Sequence, residues 1–120
     1  MLQESNCFQK IYIACGKTDL RKGIDGLAEL VKHQFQLEPY QKNGLFLFCG
    51  TRSDRIKGLV WEGDGYLLLY KRIADGRFRW PRNSTEAAQI TQEQYLRLLE
   101  GLEVIETPAI RKDVKYREVL

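Results

Sequence analysis

Arg77 and Arg79 alternate with Phe78 and Trp80, a few residues after the basic pair Lys71 and Arg72. In an extended segment, alternation puts the two guanidinium groups on one side and the two rings on the other. Guanidinium forks suit phosphate oxygens, and contacts of that kind hold a nucleic acid without reading its sequence. Upstream, Arg52, Arg55 and Lys57 surround the start of another apolar run, so Gly50 to Arg82 holds eight Lys or Arg against four Asp or Glu. The whole chain carries only +3, which leaves the remainder slightly acidic. Positive charge gathered in one stretch favours an anionic partner, nucleic acid first. Arg21 and Lys22 would extend that surface if the helix they open lies near it, although Asp19 competes for the same helix end. The plainer alternative is a solvated edge strand, where charge discourages aggregation.

Other chemistry is sparse. Glu62 and Asp64, with Lys71 downstream, offer two carboxylates and a lysine, the minimum for a magnesium-dependent nuclease. Gly63, Asp64 and Gly65 are also the residues a tight hairpin turn demands, which explains the same letters without a metal. His33 has no second histidine or cysteine at ligand spacing and reads as a surface or half-buried side chain. The three cysteines, Cys7, Cys15 and Cys49, form no C-x-x-C pair, which argues against a disulfide framework or a zinc module. Neither a catalytic residue, a metal site nor a cofactor is expected. The chain shows no signal-peptide pattern and no apolar run near the roughly 20 residues that span a bilayer, so a cytoplasmic setting without membrane contact is expected.

A chain of 120 residues suffices for one core. Lys10 to Cys15 reads as a first strand, ended by Gly16. Leu20, Ile24, Leu27, Val31 and Phe35 then recur at helical spacing, with Leu30 widening the stripe, which predicts an amphipathic helix over 20–35 capped by Thr18 or Asp19. Arg21 and Asp25 stand at i,i+4 on it, while Gly23 and Gly26 weaken it. From Gly44 to Pro81, three apolar runs separated by Gly, Asp and Ser read as an antiparallel meander, with Arg77 to Trp80 as a further strand. Period-two alternation sets Leu45, Leu47 and Cys49 against Phe46 and Phe48, and Leu67, Leu69 and Ile73 against Tyr66, Leu68 and Tyr70. Both faces are apolar enough to need covering, one by the first helix and the other by a C-terminal helix or a partner. Thr91 and Gln94 form a T-x-x-Q capping box ahead of Tyr95, Leu98, Leu99 and Leu102. The expected class is therefore α+β: a meander of about four to five strands, an N-terminal amphipathic helix and a short C-terminal helix. Residues 1–9 are expected to be a flexible terminus, 10–105 one domain, and 106–120 a polar tail that is mobile or orders on a partner.

Three segments together, TDLRKGIDGLAELV from Thr18, DRIKGLVWEGDGYLLLYKR from Asp54 and GRFRWP from Gly76, resemble the Orf2 (TnpB) accessory proteins of IS66-type bacterial insertion sequences, a family distinct from the RNA-guided nucleases that share the TnpB name. The resemblance covers roughly residues 10 to 102. It implies a protein of a mobile element that acts beside a separate, larger transposase, and it brings no catalytic residue with it. Where the family usually shows an Asn and then basic residues after the aromatic strand, Gly50 and Thr51 precede Arg52 here.

The expected function is thus a non-catalytic accessory protein of DNA transposition. DNA, or the transposase–DNA complex, would be held by Arg21, Lys22, Arg52, Arg55, Lys57, Lys71, Arg72, Arg77, Arg79 and Trp80. The alternative is a protein adaptor or homo-oligomeric scaffold for the transposase; the less favoured third reading is the Glu62/Asp64 nuclease.

Overall fold

The strand Gly44–Cys49 (GLFLFC), here β2, is buried along its whole length. A strand that is apolar on both faces needs a layer on each side, and the computed structural model, which describes residues 8–82 and 87–100, supplies both. β2 lies in the middle of a five-stranded sheet with β1 (Lys10–Ala14), β3 (Arg55–Trp61), β4 (Tyr66–Arg72) and β5 (Ala87–Ile90), in the order β4-β3-β2-β1-β5. β2, β3 and β4 form the expected antiparallel meander. β1 departs from it by running parallel to β2, with Ile11 beside Leu45 and Ile13 beside Leu47. Two adjacent parallel strands need a crossover, and the first helix is that crossover. β5 returns antiparallel to β1 and closes its outer side.

The first helix is not N-terminal and is shorter than 20–35: α1 covers Ile24–Glu29 and continues as a π-helical turn over Leu30–Gln34. Gly23, extended at φ −92° and ψ −160°, precedes it. The cause lies upstream, where the Asp19 carboxylate accepts from the backbone N–H of Arg21 at 3.0 Å. A short acidic side chain bound to its own backbone competes with a helical turn. The Arg21 guanidinium also turns back to Asp19, and the anticipated pairing with Asp25 is replaced. The apolar stripe survives the change: Leu20, Ile24, Leu27, Leu30, Val31 and Phe35 all pack with Phe46, Phe48 and Leu59.

The opposite face of the sheet buries Ile11, Ile13, Leu45, Leu47, Cys49, Ile56 and Val60 beneath α2 (Gln92–Leu99), from which Tyr95 and Leu98 reach the core. The two leucine and phenylalanine sets therefore part as alternation requires. α2 opens with the capping box: Thr91 Oγ1 accepts from Gln94 N–H at 3.1 Å, and Gln94 Oε1 from Thr91 N–H at 2.7 Å. Leu102, the first nine residues except Phe8 and Gln9, and the expected tail lie outside the described residues.

The segment after β4 is irregular rather than a strand, yet it alternates. Phe78 and Trp80 enter the core while Arg77 and Arg79 stay exposed. The Trp80 indole is 6% exposed and its Nε1–H donates to the Ala14 carbonyl at 2.9 Å. Trp80→Ala should lower stability by about 3–5 kcal/mol through the cavity it leaves. Trp80→Phe should cost about 1 kcal/mol by stranding that carbonyl. Urea unfolding midpoints measure both, and a Trp80→Ala midpoint equal to wild type would place the ring outside the core.

Candidate nucleic-acid interface

Three loops meet at the end of the sheet where β1 and β2 finish and β3 begins. Thr18 N–H donates to the Cys49 carbonyl at 2.8 Å, joining the loop after β1 to the end of β2. The contact is close enough that a Cβ on Gly50 would stand 3.2 Å from the Leu20 side chain, which would have to shift by a few tenths of an ångström to admit it. The Arg82 guanidinium adds hydrogen bonds to the Gly16 carbonyl at 2.9 Å, the Gly50 carbonyl at 2.7 Å and Ser53 Oγ at 2.9 Å. Arg82 belongs to the charge excess in composition, but its head is occupied with holding the loops.

Between these loops and the α1 side of the hairpin β3–β4 lies an open cleft of about 660 Å³, with Thr18, Arg21, Thr51, Arg52, Arg55 and Lys57 among its polar lining. Leu20, Leu68 and Tyr70 give it an apolar wall. Strand alternation explains the assembly, since Arg55 and Lys57 share a face with Tyr70 and Arg72 across the ladder pairs Arg55–Arg72 and Lys57–Tyr70. Lys57 Nζ donates to the Lys22 carbonyl at 3.1 Å and stands 5.9 Å from the centre of the Tyr70 ring. Arg52 is exposed and has no ion pair among the described residues.

Two of the cations have carboxylate partners. Arg21 grips Asp19 through Nε at 3.0 Å and Nη2 at 2.9 Å, and Arg55 Nε meets Asp54 at 2.9 Å. The Arg21 bonds hold the Asp19 carboxyl down to about 2, and Arg55 likewise lowers Asp54. The Arg21 pair is open to water and the Arg55 pair is half-buried, so salt screens the first more than the second, and an incoming phosphate can share the exposed Arg21 guanidinium. Four cations in the lining against Asp19, and Asp54 beside it, leave the cleft positive.

The remaining candidates divide. Arg72 lies on the cleft's face at the end of β4, and Lys22 is exposed on the neighbouring loop. Lys71 projects from the opposite face, beside Ile56, and Arg77 and Arg79 sit on the irregular segment beyond; none of the three lines the cleft. The cations thus form no single band through Arg21, Lys71, Arg77 and Arg79. Trp80 is a correction: its buried ring is not available to stack on a base. Thr18, Thr51 and Tyr70 were missed as site residues, although Tyr70 has the same strand parity as Arg72 and could have been found that way.

The nuclease constellation does not assemble. Glu62 and Asp64 are exposed in the turn between β3 and β4, where Glu62 N–H donates to the Gly65 carbonyl at 2.9 Å and Gly63 takes φ +98°. Lys71 is at the other end of that hairpin, six residues along the ladder from the Glu62–Gly65 pair and so about 20 Å away at the rise of an extended chain. Among the described residues no group of three or more His, Cys, Asp or Glu side chains is placed to hold a metal ion. His33 Nε2 lies 3.3 Å from Glu29 on the helix surface. Burial pushes the Cys49 thiol up, more than the nearby Arg82 pulls it down, which is the setting of an unreactive core thiol.

The Asp19 pairing has a pH signature. A carboxyl lowered from 3.8 to about 2 stabilises the fold above its unfolded value and loses that contribution as pH falls from about 4 to about 2. Carboxyl-detected NMR should find the Asp19 midpoint near about 2, and Arg21→Ala should return it to the ordinary range. A wild-type midpoint close to 4 would dissolve the pair. Arg82→Ala should lower stability by about 1–2 kcal/mol in urea unfolding, since three charge-assisted bonds lose their donor. An unchanged midpoint would free the loops from it.

An uncharacterized protein of Sinorhizobium fredii, y4jC, is 32% identical over 106 residues, covering 88% of each chain. A second from the same organism, y4hO, is 38% identical over 94 residues, 78% of this chain and 81% of its own length. No solved structure matches. No helix among the described residues is long and apolar enough to cross a membrane. The family described as IS66 Orf2 like protein matches residues 9–108, nearly the whole described domain, and the chain belongs to that insertion-sequence-associated family.

Proposed function

We propose that this protein is a non-catalytic accessory factor of insertion-sequence DNA transposition that grips the DNA backbone, alone or within a transposase–DNA complex. One observation carries the reading: Arg21, Arg52, Arg55 and Lys57, from three separate parts of the chain, line one open cleft. Converging cations of that kind suit successive phosphates, and Thr18 and Thr51 add hydroxyl donors beside them. Arg72 and Lys22 extend the positive rim, and Arg77 and Arg79 offer further contacts to a long polyanion that passes around the same end of the sheet. Strand-cleavage chemistry is left to the element's separate transposase, and the cytoplasm, where bacterial DNA resides, is the expected compartment.

A second reading, an adaptor that docks on the transposase, is favoured by a different observation. Tyr40, Trp61 and Tyr66 form an aromatic cluster at the far end of the sheet, with ring centres 4.9–5.7 Å apart, and Tyr40 is 55% exposed. Aromatic groups of this sort anchor protein contacts.

Gel-shift titration of duplex DNA at two salt concentrations separates the two. Wild-type affinity should fall steeply with salt, and Arg52→Ala/Lys57→Ala should flatten the slope by roughly two phosphate contacts and weaken low-salt binding by about tenfold or more. An affinity and slope equal to wild type in that variant would overturn the DNA reading and leave the adaptor.

A further inference from the structure

The free edge of β4 is built to pair with itself. Ile73 N–H donates to the Asp54 carbonyl at 2.9 Å at one end of the hairpin, and Glu62 N–H to the Gly65 carbonyl at 2.9 Å at the other. With the register Leu69–Gly58 between them, these bonds fix the phase of the ladder: odd-numbered residues of β4 bond to β3. Tyr66, Leu68, Tyr70 and Arg72 therefore direct their N–H and C=O groups outward. Among the described residues no strand takes them up, since β4 ends the sheet.

Long apolar edges invite a further strand, and proteins usually blunt them with proline, a bulge or an inward charge. β4 runs seven residues as YLLLYKR in unbroken register with none of these devices in its first five, and Tyr70 is 55% exposed. The edge at the other side, β5, is four residues long.

We propose that a second copy of this chain occupies the β4 edge, pairing antiparallel about a two-fold axis at Leu69. Tyr66 then stands opposite Arg72 of the other copy, Leu67 opposite Lys71, and Leu68 opposite Tyr70. All outward backbone groups of the strand are used, in about eight hydrogen bonds. The charge pattern selects both the occupant and the direction. The strand begins beside the acidic turn of Glu62 and Asp64 and ends on Lys71 and Arg72, all four without an ion pair among the described residues. Antiparallel pairing brings each acidic turn alongside the basic end of the other copy, whereas a parallel strand would set Arg72 against Arg72, a destabilising like-charge contact. Pairing also relieves the existing Arg55–Arg72 juxtaposition by giving Arg72 an aromatic ring and a carboxylate as neighbours. Because Leu68 and Tyr70 wall the cleft, the clefts of the two copies come to adjoin across the axis. The dimer itself does not depend on what the cleft binds.

Sedimentation equilibrium of the full chain without DNA tests it. Wild type should be dimeric. Glu62→Lys/Asp64→Lys and Lys71→Glu/Arg72→Glu, each like-charged at both ends of the interface, should each associate at least about tenfold more weakly. Mixed one to one, the two variants should recover a dimer, because both ends become attractive again. Tyr70→Pro, which removes an outward N–H without touching the β3 ladder, should be monomeric while retaining the wild-type circular dichroism spectrum. A wild-type monomer from micromolar to near-millimolar concentration would overturn the proposal, as would charge-reversed variants that dimerise as tightly as wild type or fail to complement each other.

Discussion

One guanidinium ties the cleft end of this protein together. Arg82 reaches carbonyls after β1 and after β2 and the hydroxyl of Ser53 before β3. Each of those segments contributes lining to the cleft or carries a residue that does. Buried or half-buried carbonyls at strand ends need donors, and a planar group with several fixed N–H bonds can serve three at once. The neighbouring Trp80 bond to Ala14 anchors the same segment to the sheet. The irregular stretch from Ile73 to Arg82 is thus a strap whose rings fill the core and whose last arginine fastens the loops.

The sheet dictates where that strap must go. β2 is covered on both faces, so a crossover helix takes one side while α2 and the rings of Phe78 and Trp80 take the other. Parallel β1 and β2 end side by side, and the following loops emerge together, an arrangement in which open sheets commonly bind ligands. Cations as far apart in sequence as Arg21 and Lys57 therefore need only short loops to meet. Their carboxylate partners, Asp19 and Asp54, fix two guanidinium groups in place without burying them, which keeps the surface both ordered and wet.

Much of this could be read from the residues, and the failures have physical causes. Alternation sorted Leu45, Leu47 and Cys49 from Phe46 and Phe48 because a strand allows only two faces. The same rule, applied to cations, would have separated Lys71 from Arg72 and joined Tyr70 to Arg55. The helical stripe from Leu20 to Phe35 located the packing face, but spacing does not reveal that Asp19 binds its own backbone and delays the helix to Ile24. The direction of β1 was out of reach, since a strand, a helix and another strand permit either pairing until the third dimension is known. Trp80 and Arg82 show the sharpest limit. An indole or a guanidinium has the same chemistry on a surface as inside a network, and only its neighbours decide which.

The pairing of β1 with β5 has a bearing on synthesis. The hairpins of β2, β3 and β4 are local and can close soon after they leave the ribosome, whereas β1, made first, lacks its outer neighbour until Ile90 has emerged. Contacts so far apart in sequence form late, so the nascent chain carries an apolar strand with an open flank until Ala87–Ile90 have emerged. Until then the outer N–H and C=O groups of β1 are open to any other strand, including the same segment of a neighbouring nascent chain.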